Sequence, residues 1–148
     1  MDLRELYQEI ILDHYRKPRN FAAMEAPDCR ARGHNPLCGD KVEVYLRVED
    51  GVVRDVSFQG NGCAISTASA SMMTEAVKGK PVAEVEALFR AFQRMVTGTD
   101  GEEAKPEGLD SLEALTGVRE IPIRVKCATL AWHTLHAALE RTTETTTE

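Results

Sequence analysis

The stretch KVEVYLRVEDGVVRDVSF, residues 41–58, constrains this chain more than any other. Val42, Val44, Leu46 and Val48 alternate with Lys41, Glu43, Tyr45 and Arg47, the period of two of a half-buried strand. Glu49, Asp50 and Gly51 form a hairpin turn signal, and Val52 to Phe58 reads as the returning strand. An antiparallel hairpin brings its two outer ends together. Cys38 and Asp40 stand just before the first strand, and Cys63 stands just after the second, in the loop QGNGC at 59–63. The turn therefore delivers two thiols and a carboxylate to one edge of a sheet.

The elements around the hairpin follow from their own patterns. Leu3, Leu6, Tyr7, Ile10, Ile11, His14 and Tyr15 recur at helical spacing, Asp2 and Glu5 resemble a capping box, and Pro18 marks the end. In this reading His14 and Tyr15 close the stripe as packing residues. Residues 28–35 read as a short edge strand. Ala64 to Val77 gives a helix of small residues closed by Gly79, and Pro81 opens the next, with Val85, Leu88, Phe89, Phe92, Met95 and Val96 as its core face. Residues 97–108 read as an exposed acidic loop, 109–115 as a short helix, and REIPIRVKCATLAWH as the entry to a last long helix. The tail TTETTTE, 142–148, has no core residues and reads as disordered. Helix, strands, then helices predict one α+β domain over 1–141: a small three-stranded antiparallel sheet with helices packed on one face.

Composition excludes several classes. A 148-residue chain, 43% hydrophobic and 28% charged, suits one globular domain. A net charge of −6 without a Lys/Arg run argues against nucleic acid. No apolar stretch is long enough to span a bilayer, and the N-terminus lacks a signal-peptide pattern, so a cytoplasmic location with no membrane contact is expected. In that compartment Cys29, Cys38, Cys63 and Cys127 are read as free thiols, metal ligands or reactive groups rather than disulfides. No CxxC pair occurs, so any metal site must be assembled from distant segments.

Cys127 joins Cys38 and Cys63 if the last helix packs across their edge of the sheet. Three thiolates with Asp40 make a four-coordinate S₃O set suited to zinc, and clustered thiolates equally suit iron–sulfur chemistry. The harder carboxylate is read as a ligand suited to exchange. Cys63, at a helix N-terminus, sits where negative charge is favoured. Lys126 beside Cys127 and Arg124 one turn earlier are read as supporting cations for a thiolate or persulfide. Cys29 has no distinguishing context and reads as a small buried hydrophobe. His133 and His136 lie about 240° and 180° around the helix from Cys127 and point away. His34 stands as an alternative ligand.

CGD before a strand, GNGCAISTASASMMTE at a strand-to-helix junction, RVKCATLAWH on a final helix and LYQEIILDHYRKPRN near the start resemble the IscU/SufU/NifU-N group of iron–sulfur cluster assembly proteins. The resemblance implies Cys38, Cys63 and Cys127 as metal or cluster ligands with Asp40 beside them. Its implied partners are a cysteine desulfurase (SufS- or IscS-like), the assembly machinery and acceptor apoproteins. Three features depart from the IscU pattern: Lys126 where those proteins carry histidine, EIPIRVK where they carry a chaperone-recognised LPPVK, and an apparent insertion around 97–118. All three look like SufU. The resemblance thus implies a zinc-dependent sulfur acceptor, and Cys38 is read as the receiving thiol because its neighbour Gly39 makes that loop the most pliable. The alternative is a scaffold for a transient [2Fe-2S] cluster or iron. A sulfurtransferase activity and a non-catalytic scaffold both stay open.

Overall fold

The computed structural model describes residues 2–99, 106 and 108–147. Helix α1, Leu3–Arg16, is followed by strands β1, Cys29–Asn35, β2, Asp40–Glu49, and β3, Val52–Asn61. Helices α2, Ala64–Val77, and α3, Val82–Thr97, come next. A 3₁₀ helix over Asp110–Glu120, helix α4, Pro122–Leu139, and strand β4, Glu144–Thr146, complete the chain. The expected acidic loop falls largely on residues outside those described.

The sheet corrects the expected topology. It has four strands in the order β3-β2-β1-β4, and β4 runs parallel to β1, so it is mixed rather than a three-stranded antiparallel sheet. Most of the tail expected to be disordered is the reason. Arg32, Gly33 and His34 pair with Glu144, Thr145 and Thr146, and the Arg32 amide donates to the Thr143 carbonyl at 2.8 Å. The tail buries no large side chain; backbone pairing to an open strand edge holds it, and threonine suits that conformation. β1 is consequently an interior strand, not an edge.

Inward residues of the sheet meet α2 and α4, while α1 and α3 lie further out against those helices and the 3₁₀ helix. The core joins Val44, Leu46, Val56 and Phe58 of the sheet to Met73 of α2, Phe92 of α3 and Trp132 of α4. Trp132 stacks on Phe92 at 4.6 Å between ring centroids and donates its indole N–H to Ser69 Oγ at 3.2 Å. Small residues along α2, among them Ala68, Ser69 and Ala70, are buried and let α4 approach closely.

The α1 stripe is only half covered. Asp2 Oδ1 accepts from the Glu5 amide at 2.9 Å, so the cap forms as expected. Tyr7, Ile10 and Ile11 pack against the core, but Leu3, Leu6 and Tyr15 are exposed. His14 does pack inward, and its Nδ1 lies 2.7 Å from Ser71 Oγ. The short helix expected at 109–115 is longer, running to Glu120 as a 3₁₀ helix directly ahead of Pro122.

Candidate metal centre

β1 and β2 form a hairpin whose last pair is Asn35 opposite Asp40. Its loop carries Cys38, whose amide donates to the Asn35 carbonyl at 3.3 Å. Gly39 closes the loop with φ at +72°, a left-handed conformation that glycine adopts at little cost. Cys38 is therefore exposed at a loop tip, while Asp40, two residues on, is fully buried.

Cys63 is the N-cap of α2, and its Sγ accepts from the Ser66 amide at 3.4 Å, the role usually taken by a hydroxyl or carboxylate. The β2–β3 register, with Lys41 opposite Asn61, brings this cap to Asp40. The Cys63 amide donates to Asp40 Oδ1 at 2.9 Å, and Cys63 Sγ lies 4.0 Å from Asp40 Oδ2. Gly62 makes this approach feasible: a Cβ there would sit 2.9 Å from Asp40 Oδ1 and 3.1 Å from Ser66 Oγ.

Cys127 arrives from α4, which packs on β1 and β2. It is buried, and its Sγ lies 3.3 Å from Cys38 Sγ. One donor atom each from Cys38, Asp40 and Cys127 lie within 4.8 Å of one another. Cys63 borders this group through Asp40. A buried carboxylate needs hydrogen-bond partners. Asp40 has the Cys63 amide on one oxygen and Asn35 Nδ2 on the other, at 3.2 Å. The same Asn35 nitrogen lies 3.5 Å from Cys127 Sγ.

Burial pushes the Cys127 thiol far above its ordinary range, and its contacts with Cys38 and Asp40 and the nearby Cys63 add to the shift. Burial thus favours the neutral thiol at Cys127. Two sulfurs and a buried carboxylate converge, with the Cys63 sulfur bordering the carboxylate, where a thiolate-loving cation would find donors. Their soft donor set fits zinc, and it equally fits iron in a cluster.

The other expected candidates sit elsewhere. Arg124 is exposed and lines a surface groove with Tyr7, Ile65 and Ile121. Among the described residues neither Arg124 nor Lys126 forms a hydrogen bond or ion pair with the cluster, and the Cys127 shift opposes the thiolate they were expected to favour. β1 alternates inward and outward, which puts His34 on the solvent face, opposite to Asn35. His133 packs edge-on against Phe89 with centroids 5.2 Å apart, and His136 Nδ1 lies 3.0 Å from Glu86 Oε2. Cys29 is buried in the core, and burial raises its thiol too.

Sequence reasoning passed over Asn35 and Thr147. Asn35 was legible by parity: Cys29, Ala31 and Gly33 point inward on β1, so Asn35 does as well. Thr147 had no signal, because the tail carries no periodicity.

Comparison with known proteins agrees with this geometry. The model of the NifU-like N terminal domain matches residues 6–147. The zinc-dependent sulfurtransferase SufU of Bacillus subtilis is 37% identical over 140 residues, covering 95% of this chain and 93% of that protein. The iron–sulfur cluster assembly scaffold protein IscU of Streptococcus pyogenes is 39% identical over 139 residues, covering 94% and 86%. The crystal structure of a putative iron–sulfur cluster assembly scaffold protein for the SUF system from Fervidobacterium islandicum superposes with a TM-score of 0.83 at 32% identity, over 93% of this chain and 99% of that one. With its three cysteine segments folded to one edge of the sheet, this chain belongs to the NifU-like N-terminal domain family.

Proposed function

We propose that this chain is a zinc-binding sulfur acceptor of iron–sulfur cluster assembly in the cytoplasm. Cys38, Asp40, Cys63 and Cys127 would hold the ion, and Cys38 would receive sulfur from a cysteine desulfurase. The supporting observation is how burial divides the cluster: Cys127 and Asp40 are buried, whereas Cys38 and Cys63 are exposed. Bound zinc would supply positive charge that favours the deprotonated form of its thiol ligands.

The sulfur step needs an exposed thiolate that can reach a persulfide on another protein. Cys38 sits at the loop tip beside Leu37, which is 58% exposed and offers an apolar surface for docking. The Cys38 thiolate attacks the outer sulfur of the desulfurase persulfide. A bond forms between Cys38 Sγ and that sulfur, and the sulfur–sulfur bond of the desulfurase breaks. The electron pair leaves with the desulfurase cysteine, which departs as its thiolate. Cys38 then carries the persulfide for the assembly machinery.

A second reading rests on the relatives named as scaffolds. There the same donors carry a [2Fe-2S] cluster as cargo before it passes to apoproteins. Metal analysis of the purified chain separates the two: one firmly held zinc favours the acceptor, and iron with acid-labile sulfide favours the scaffold. The direct test is a desulfurase assay with cysteine as substrate. Cys38→Ala should bring stimulation by this chain to background. Stimulation equal to that of the unaltered chain would remove Cys38 as the acceptor.

A further inference from the structure

We infer that Asn35 is a positioning residue of the metal centre and that the C-terminal strand holds Asn35 in place through Thr147. The inference rests on the reading of the cluster as a metal site. Asn35 is fully buried and closes the β1–β2 hairpin opposite Asp40. Its amide is used at both ends. Nδ2 donates to Asp40 Oδ2 at 3.2 Å and faces Cys127 Sγ at 3.5 Å, while Oδ1 accepts from Thr147 Oγ1 at 2.9 Å.

The chemistry of the neighbours fixes the orientation of this amide. A carboxylate only accepts hydrogen bonds, so the NH₂ end must face Asp40. The carbonyl end then needs a donor in a buried setting, and the Thr147 hydroxyl is that donor. Thr147 is there because β4 pairs with β1. Its amide donates to the His34 carbonyl at 3.1 Å, carrying the parallel ladder to the residue beside Asn35. Arg141 anchors the approach, its Nη1 donating to the Asp28 carbonyl at 2.7 Å.

This assigns work to a segment that contributes nothing to the core. Asn35 touches two of the four donors, one from β2 and one from α4, and sets their separation before any ion arrives. Groups that hydrogen-bond metal ligands orient those ligands and tune their basicity. A ligand set held in register binds without first being ordered. The last described residue, Thr147, thus reaches the centre through one side chain.

Zinc affinity of the full chain, measured by competition with a chromophoric chelator, tests this, with the visible spectrum of the Co²⁺-loaded protein as a second readout. Asn35→Ala should weaken zinc binding about tenfold to a hundredfold, the usual effect of losing an outer hydrogen bond to a metal ligand. Thr147→Val, which keeps the shape and removes the hydroxyl, should weaken it about threefold to tenfold, the worth of one ordinary hydrogen bond. Thr147→Ser should restore the unaltered affinity, and the Co²⁺ bands should shift in Asn35→Ala and Thr147→Val alone. Thr147 is only half-buried and lies outside the core, so this pair stays informative if Asn35→Ala fails to fold. Unchanged affinity and spectrum in Thr147→Val would overturn the role of the strand. The same result in a folded Asn35→Ala would overturn the role of Asn35. Failure of the unaltered chain to take up either ion would overturn the metal reading itself, and this inference with it.

Discussion

Gly62→Ala should weaken metal binding with little change to the fold, and the size of the effect follows from one contact. An added Cβ would stand 2.9 Å from Asp40 Oδ1. Ordinary carbon–oxygen contact begins near ~3.4 Å, so the carboxylate must retreat by about half an ångström. In the free protein it can do so by stretching its 2.9 Å bond from the Cys63 amide. On binding it must return, because ligand distances tolerate only about 0.2 Å of error. Forcing a side chain back against an added methyl costs about 1–3 kcal/mol. At about 1.4 kcal/mol per factor of ten, zinc affinity should fall about tenfold to a hundredfold. Gly51→Ala is the control. Nothing lies within 4 Å of its Cβ, but φ there is +74°. That variant should lose about 1 kcal/mol of fold stability and bind zinc as the unaltered chain does. Chelator competition and thermal melts of the two variants decide the matter. Unaltered zinc affinity in Gly62→Ala would show that Asp40 is not a ligand.

Two further outcomes follow from the same structure. Burial is the leading cause that lowers the pKa values of His14 and His133, so both favour the neutral imidazole in the fold. Their contribution to stability is complete above the unfolded-state value of about 6.5 and is lost as pH falls through it toward the folded values, because the unfolded chain binds the protons first. The urea midpoint of metal-free, reduced protein should therefore be lower at about pH 5.5 than at about pH 7.5, and the double variant His14→Gln, His133→Gln should flatten the difference; an equal drop in the double variant would refute the assignment. Cys63→Ala removes a helix cap and should lower fold stability by about 1 kcal/mol. Cys38→Ala, at an exposed loop tip, should stay within about 0.5 kcal/mol, and equal melting temperatures for the two would refute the capping role.

Legibility in the sequence tracked how much local pattern each element carries. The β2–β3 hairpin was legible from its alternation and turn, so the approach of Cys63 to Asp40 followed from antiparallel pairing, whereas the sulfur beside Cys38 is that of Cys127. α3 was equally legible, since Val85, Leu88, Phe89, Phe92, Met95 and Val96 are all buried. β4 was invisible because its order comes from backbone pairing with β1, which no side-chain pattern in TTETTTE encodes. Missing β4 also mistook β1 for an edge and hid Thr147. Cys127 could be placed on a helix but not over the sheet edge, because helix packing depends on contacts far apart in sequence. Lys126 is next to Cys127 in sequence and so points in a different direction on the helix, and exposed Arg124 lines a surface groove with Tyr7 and Ile121; the surroundings of Cys127 are set by Cys38, Asp40 and Asn35 instead.

The two exposed thiols are not equivalent, and the difference argues for Cys38 as the acceptor. Cys63 Sγ is engaged with the Ser66 amide, and its own amide holds Asp40. Moving Cys63 toward a partner would uncap α2 and release the carboxylate together. Cys38 Sγ lies 3.3 Å from Cys127 Sγ and, among the described residues, accepts from no backbone amide, and its own amide makes a 3.3 Å turn contact with the Asn35 carbonyl. Swinging Cys38 outward leaves the Asp40 bonds and the α2 cap intact. Cys127, 2% exposed, cannot meet a second protein without moving α4. The proposed sulfur transfer by Cys38 would thus disturb the least structure, leaving Asp40, Cys63 and Cys127 in place to receive it back.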